Sequence, residues 1–269
     1  MSVTAPVAVA TRPRAFVRVS GPEAATYLER MVSNEVVTLA RGHSRDALLL
    51  TPKGRVMATL RLLRRGDDDF LLLTEPELGE RVRSHLTRMR FAARCEIELE
   101  DHDSVVVFGE APAGLTAIPT LDYGQPAQEV LDADLAPTLT AGELERLRIE
   151  AGTPLYGKEI DDRMLPAEAG LDTRAISFTK GCYPGQEPIA RLHYRGHANR
   201  GLRLLRIDAS DPPPADSEIL HAGKAVGRVT SSASTGSAIM ALGYVRTEVP
   251  DDAELSVGGA RTRLSRSRP

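Results

Sequence analysis

The stretch from Ser177 to His197 holds the residues best suited to chemistry. It reads Ser177-Phe-Thr-Lys-Gly-Cys-Tyr-Pro-Gly-Gln-Glu187, followed shortly by Ala190-Arg-Leu-His-Tyr-Arg-Gly-His197. Cys182 stands close to Lys180, with Arg191, Arg195 and Arg200 nearby in sequence. Positive charge favours a thiolate over a thiol, so Cys182 is expected to be more reactive than Cys95. The glycines and proline predict a tightly turned loop where backbone can approach a ligand closely. A lone cysteine is most often a small buried hydrophobe, and Cys95, next to a strand of alternating residues, takes that reading.

Several chemistries are open to these residues. Cys182 as a nucleophile would need His193 or His197 as base, with Asn199 or Glu187 orienting the ring. Nothing in the spacing requires those side chains to meet. Cys182 with His193 and His197 also suggests metal ligands, but a structural zinc site wants four, usually with paired cysteines, and no C-x-x-C occurs, so no metal is expected. Arg191, Arg195, Arg200, Arg203 and Arg206, with Tyr194 among them, form a basic run that would suit RNA. A charge run is usually a solvated face. Neither a Walker A pattern nor a G-x-G-x-x-G after a strand is present, so nucleotide binding has no positive support.

Residues of this kind must be held by a larger frame, and the hydrophobic pattern supplies one. A strand over Ala15–Val19 leads into a helix bearing Ala24, Tyr27, Leu28, Met31 and Val32 on one stripe. Strands are predicted over Asp46–Thr51, Arg55–Arg64 and Phe70–Thr74, separated by Thr51-Pro-Lys-Gly and Arg65-Gly-Asp-Asp-Asp turns. A second helix carries Leu78, Val82, Leu86 and Met89, and strands follow at Glu96–Leu99 and Ser104–Phe108. Ser20 with Glu23, Thr74 with Glu77, and Thr140 with Glu143 have capping-box spacing. The third opens a helix with Leu144, Leu147 and Ile149 that stops at Gly152. The region Glu110–Pro137 shows no firm period and reads as a long loop with one short strand at most. Pro154–Asn199 reads as loop-rich. Beyond it, short strands over Leu202–Ile207, Ala225–Thr230, Ile239–Val245 and Glu254–Val257 predict a small antiparallel barrel.

The bulk composition sets outer bounds. The chain has 269 residues, 42% hydrophobic and 26% charged, with a formal net charge of −3. That balance argues against a surface built throughout for nucleic acid. Of 34 basic residues, only Lys53, Lys158, Lys180 and Lys224 are lysines. Two distant cysteines make no disulfide framework and suit a reducing cytoplasm. Met1–Arg14 lacks the pattern of a signal peptide, and no apolar run approaches the roughly 20 residues needed to span a bilayer. The expected location is cytoplasmic.

Lys180-Gly-Cys-Tyr-Pro-Gly-Gln-Glu187 resembles the K-G-C-(F/Y)-x-G-Q-E signature of the YgfZ family, matching every fixed position. Ser20-Gly-Pro-Glu-Ala with Ser33-Asn-Glu resembles that family's first helix and following turn. Thr51-Pro-Lys-Gly-Arg-Val resembles its T-P-x-G-R loop. Arg148-Ile-Glu-Ala-Gly152 resembles a segment shared with aminomethyltransferases, and Val226-Gly-Arg-Val-Thr-Ser231 and Ala241-Leu-Gly-Tyr-Val245 resemble strands of the C-terminal barrel.

The resemblance implies an α+β fold: an aminomethyltransferase-like folate-binding body over 1–198, a ring of subdomains, and a C-terminal antiparallel β-barrel over 199–269. It implies tetrahydrofolate, or a one-carbon derivative, in a central channel. Cys182 would face that channel and, with Lys180, is the candidate for activity. Arg148 matches an arginine that holds folate, and a guanidinium can donate two parallel hydrogen bonds to a carboxylate. Gly181, Tyr183, Gly185, Gln186 and Glu187 join it as candidate cofactor-binding residues. The implied role is support of iron–sulfur enzyme assembly or repair, with iron–sulfur client or assembly proteins as partners and an indirect effect on tRNA modification. Alternatives are a folate-dependent one-carbon transferase using Cys182 and an RNA-binding protein using the 191–206 run. Two departures argue against glycine cleavage. Ala58 and Thr59 stand where aminomethyltransferases carry an essential aspartate pair, and neither offers a carboxylate. Glu110–Pro137 shows no recognisable pterin-binding segment.

Overall fold

The computed structural model describes residues 8–236 and 238–265. The first seven residues, half of the stretch read for a signal peptide, and the last four lie outside the described residues. A five-stranded antiparallel sheet forms the first layer. In spatial order it comprises β3 (Ser44–Leu50), β4 (Val56–Arg64), β5 (Asp69–Thr74), β2 (Ala15–Ser20) and β6 (Glu96–Glu100). β5 is buried almost end to end because the sheet is covered on both faces. Phe70 and Leu72 meet α1 (Ala24–Met31) and α2 (Gly79–Met89) in one core. Leu71 and Leu73 point the other way, packing with Phe16, Ile118 and Leu131. Tyr27 ties the two helices together by donating to the Leu86 carbonyl at 2.6 Å.

The second sheet has the order β1 (Ala8–Thr11), β7 (Ser104–Phe108), β9 (Ala127–Leu131) and β8 (Ala117–Thr120). The stretch read as a long loop therefore holds a two-stranded hairpin. Its period is masked by Pro119 and by Glu129, a carboxylate buried at a position that otherwise demands an apolar side chain.

Only one of the three expected capping boxes forms. Thr140 and Glu143 exchange hydrogen bonds at the start of α3 (Ala141–Ala151), and Gly152 ends the helix at φ 77°. Thr74 instead sits at the end of β5 and donates to the Thr59 carbonyl at 2.9 Å, while a 3₁₀ turn over Pro76–Leu78 precedes α2. Glu23 is the residue before α1, and its carboxylate accepts from the Arg94 backbone N–H at 2.6 Å. In both failed cases the polar group finds a tertiary partner, which local spacing does not reveal.

The region read as loop also contains α4 (Asp172–Ala175) and α5 (Gln186–Arg195). Gly185 precedes α5 in the left-handed region at φ 84°. Pro188 falls in the first helical turn, where a missing N–H costs nothing. The turn-like residues thus open a helix.

Six strands, not four, close the C-terminal barrel: β10 (Arg200–Ile207), β13 (Ile239–Arg246), β12 (Lys224–Ser234), β11 (Glu218–His221), β14 (Leu255–Val257) and β15 (Ala260–Ser265), which returns to β10. Leu205, Ile219, Val229, Val245 and Val257 fill it. Ile149 of α3 packs with Leu204 and Leu242, which docks the barrel on the body.

Candidate functional site

Where the two sheets and α3 meet, they line an open cavity of about 200 Å³. Leu48, Leu60, Leu73, Leu144, Leu155 and Leu171 contribute apolar wall, and the remainder is dense in arginines and carboxylates. Three charged networks surround it. In the first, Arg12 and Arg14 both meet Glu75, and Arg14 donates through Nε to Glu129 at 2.9 Å. In the second, Arg61 donates to Asp46 and Asp122, and Arg174 donates to Asp122 from the other side. The third centres on Arg148.

Arg148 is 5% exposed. Its guanidinium donates to both oxygens of Glu145 at 2.9 and 2.6 Å, to Glu159 Oε2 at 2.8 Å, to the Thr153 carbonyl, and to Ser231 Oγ in the barrel at 3.1 Å. Ser231 in turn donates to Glu159 Oε1 at 2.6 Å. Arg148 does line the cavity, yet its fork is occupied by protein carboxylates. It would reach a ligand carboxylate only by releasing Glu145.

The paired arginines set the charge states. Burial alone would raise the Asp122 carboxyl, but Arg61 and Arg174 overcome it and hold the group well below the usual carboxylate range. Burial opposes Glu145 in the same way, and Arg148 with Lys158 still brings it down to about 2. Glu129 is likewise lowered against its burial, by Arg14. Isolated charges at such sites would neutralise themselves; these stay ionised because each has a partner.

The signature loop lies elsewhere. Neither Cys182 nor Lys180 lines this cavity, and nor do Gly181, Tyr183, Gly185, Gln186 or Glu187. Cys182 is exposed on this loop. The Lys180 side chain is 1% exposed. Its ammonium donates to the Val32 and Asn34 carbonyls at 3.0 and 2.6 Å and lies 3.4 Å from Glu29. Desolvation pulls the Lys180 pKa down, with Glu29 opposing. With its donors so engaged at the end of α1, Lys180 acts as an anchor for the loop. Ser177 adds to the seam by donating its N–H to the Ser33 carbonyl at 3.0 Å.

Gly185 makes the other fixed contact. A Cβ there would lie 2.5 Å from the Thr51 carbonyl oxygen and 3.0 Å from Gly54 Cα. The Thr51-Pro-Lys-Gly turn and the signature loop thus pack backbone against backbone, at a distance only glycine permits. Tyr183 is buried beneath, with burial pushing its hydroxyl up to about 12.

His193 stacks on Phe178 with centroids 3.8 Å apart, and Tyr194 meets both rings edge-on. Cys182 makes no hydrogen bond to His193 or His197 among the described residues, and these three do not converge as a ligand group. A second cleft beside α5 includes Phe178, His193, His197, Arg200 and Arg203. Of the basic run, Arg200 pairs with Glu168, Arg203 with Asp251 and Arg206 with Asp208. No helix among the described residues is long and apolar enough to cross a membrane.

Beyond Arg148 and Thr59, the polar residues of the cavity wall escaped the sequence reading. Strand alternation carried one signal: Thr59 and Arg61 fall on the same face of β4, and an arginine inside Leu60–Leu63 needs a partner. Asp122 and Tyr123, also in the wall, come from the stretch read as patternless.

The family model for the CAF17 C-terminal β-barrel domain matches residues 196–268. A tRNA-modifying protein YgfZ from Pectobacterium carotovorum is 27% identical over 252 residues, covering 80% of this chain and 74% of the relative. One from Edwardsiella ictaluri is 28% identical over 240 residues, covering 76% and 72%. An uncharacterized protein of Haemophilus influenzae is 28% identical over 209 residues, covering 76% and 75%. Among solved structures, the glycine cleavage system aminomethyltransferase T of Bartonella henselae matches with a TM-score of 0.82 over 95% of this chain and 83% of that one, at 18% identity. The fold expected from the sequence, an aminomethyltransferase-like α+β body with an antiparallel barrel, is the fold found.

Three outcomes are expected. Arg148→Ala leaves Glu145 and Glu159 facing a buried void and should cost about 3–5 kcal/mol in urea unfolding; a loss under about 1 kcal/mol would contradict the network. A carboxyl whose folded pKa lies below its unfolded value stabilises the fold above that unfolded value, and the gain is lost as pH falls through the folded one. Thermal stability should therefore drop from pH 5 to pH 2, about the span of the Glu145 shift from 4.5 to about 2, and drop less in Asp122→Asn. Brief alkylation of the native protein, read by mass spectrometry, should modify Cys182 and spare buried Cys95, whose thiol is raised by burial; equal labelling would refute the difference in access.

Proposed function

We propose that this chain, similar to YgfZ proteins in sequence and built on an aminomethyltransferase-like fold, acts as a CAF17/YgfZ-family protein that binds tetrahydrofolate, or a one-carbon derivative, in the central cavity and assists assembly or repair of iron–sulfur enzymes in the cytoplasm. The observation that carries this reading is the cavity itself, which combines leucine walls with paired arginines and carboxylates at the junction of both sheets and α3. Folate has the same mixed character: a planar hydrogen-bonding ring, an apolar aromatic middle and an anionic tail. The residues present fit such a ligand chemically.

When bound, tetrahydrofolate supplies a reduced ring whose nitrogens carry one-carbon units. The chain's own part is to bind and orient it. Ala58 is buried under the sheet and Thr59 carries only a hydroxyl into the cavity, so neither brings a carboxylate to the wall there. That supports a binding role over glycine cleavage. Arg148, through Glu145, Glu159 and Ser231, holds α3 and the barrel in position around the cavity.

Cys182 is exposed on a loop whose two ends are pinned by Lys180 and Gly185. Such a thiol suits a partner that comes to the surface: a client protein, a thiol or a cluster intermediate. Effects on tRNA modification would then pass through an iron–sulfur modifying enzyme. Direct RNA contact is a second reading, favoured by Tyr194, 66% exposed beside Phe178 and His193. Pairing of Arg200, Arg203 and Arg206 with carboxylates weakens it.

Thermal unfolding with and without tetrahydrofolate under reducing conditions tests the reading. A ligand at about 100 times its dissociation constant should add about 2.7 kcal/mol of stability. Absence of any shift at saturating tetrahydrofolate would refute folate binding and move the RNA reading forward.

A further inference from the structure

His102 lies in the short connection from β6 to β7, which carries the chain from the first sheet to the second. Both of its ring nitrogens meet carboxylates. Nε2 lies 3.0 Å from Glu100 Oε2 at the end of β6, and Nδ1 lies 2.7 Å from Asp132 Oδ2 just past β9. The ring also meets Phe16 of β2 edge to face, with centroids 5.1 Å apart. It therefore spans the seam between the sheets, beside the core that Phe16 and Leu131 share.

An ionised carboxylate only accepts hydrogen bonds, and a neutral imidazole has a single N–H. Two such contacts at once require a proton on each ring nitrogen, so His102 is an imidazolium in this arrangement. Glu100 is ionised: Arg65 first of all, donating to both its oxygens, holds it down at about 2. Arg18 of β2 stands 3.5 Å from the same carboxylate. Asp132 has no cation other than His102 among the described residues. Its Oδ1 accepts from the Asp103 N–H at 3.1 Å, and its own N–H donates to the Asp103 carbonyl at 2.9 Å. It keeps that place at φ 54°, in the left-handed region that side chains disfavour. Asp101 and Asp103 flank His102 in its own turn and add negative charge. Burial opposes a charge on the ring, but Glu100 and Asp132 overcome it and raise the His102 pKa.

We propose that His102 is a proton-operated clasp: charged, it ties the end of β6 to the end of β9 and closes the seam between the sheets; neutral, it releases Asp132. Release falls on Asp132 because Glu100 keeps Arg65 as its partner, whereas Asp132 is left with no cation in an unfavourable backbone conformation. Holding the end of β9 also holds the strand that carries Glu129, the partner of Arg14 in the cavity wall. A histidine whose folded pKa is raised stabilises the fold fully below its unfolded value, ordinarily 6.5, and the gain disappears as pH rises through the folded value.

Nitrogen-15 NMR of the histidine side chains, followed through a pH titration of the full chain, reads the clasp directly. The His102 ring should stay doubly protonated to a higher pH than the histidines of the urea-unfolded chain. In Asp132→Asn its titration should move down towards theirs. A His102 that is neutral at or below the unfolded midpoint, or that ignores Asp132→Asn, overturns the proposal. Urea unfolding gives a second measure. The stability lost between about pH 6 and about pH 8.5 should be greater in the unaltered protein than in His102→Gln, which keeps a donor for one carboxylate but cannot gain a proton. Equal losses overturn the clasp, and the NMR titration of the unaltered protein decides the matter alone if His102→Gln does not fold.

Discussion

Buried guanidinium groups are the constraint on which this molecule turns. An arginine taken from water is tolerable only if carboxylates meet it, and here most of those carboxylates come from elsewhere in the chain. Arg14 leads into β2, while its partners Glu75 and Glu129 follow β5 and lie on β9. Arg61 belongs to β4 and draws Asp122 from beyond β8. Arg148 reaches from α3 to Glu159 and on to Ser231 of the barrel. Each part meets only some of its own charge, as Arg148 does with Glu145 and Arg61 with Asp46, so correct docking of the two sheets and the barrel completes the pairing. The cavity is the place where those obligations meet, which explains why so polar a wall surrounds so central a space.

The signature segment has a different physical task. Its lysine holds the end of α1, its second glycine presses against Gly54, and its tyrosine fills an apolar core with Leu50, Val56 and Ile189. The motif that drew attention first is thus a brace that presents Cys182, set apart from the residues that line the cavity. Two features sit side by side on one frame: a recessed pocket walled by leucines and paired charges, and an exposed thiol on a pinned loop.

Local grammar was legible and long-range pairing was not. The Thr140–Glu143 cap, the Gly152 stop and the alternating strands of the first sheet depend on neighbours in sequence, and all are present. The same cap spacing failed at Thr74, where the hydroxyl turned across to β4. α5 was hidden because Gly185 and Pro188 write a turn and a helix start with the same letters. Glu129 disguised β9 for a deeper reason: its partner Arg14 is 115 positions away. Arg61 and Asp122 are 61 positions apart, and no window of sequence shows that each needs the other.

The barrel, being closed, offers no free strand to a neighbour. The first sheet does end in an open one: β6 pairs with β2 on one side only, and Glu96, Glu98 and Glu100 alternate along it. Glu98 and Glu100 are partly matched by Arg18 and Arg65 from within the same sheet. A second copy brought edge to edge would set one row of glutamates against another, and like charges directly opposed are unfavourable. That edge of the sheet is thereby guarded against pairing with a second copy of itself.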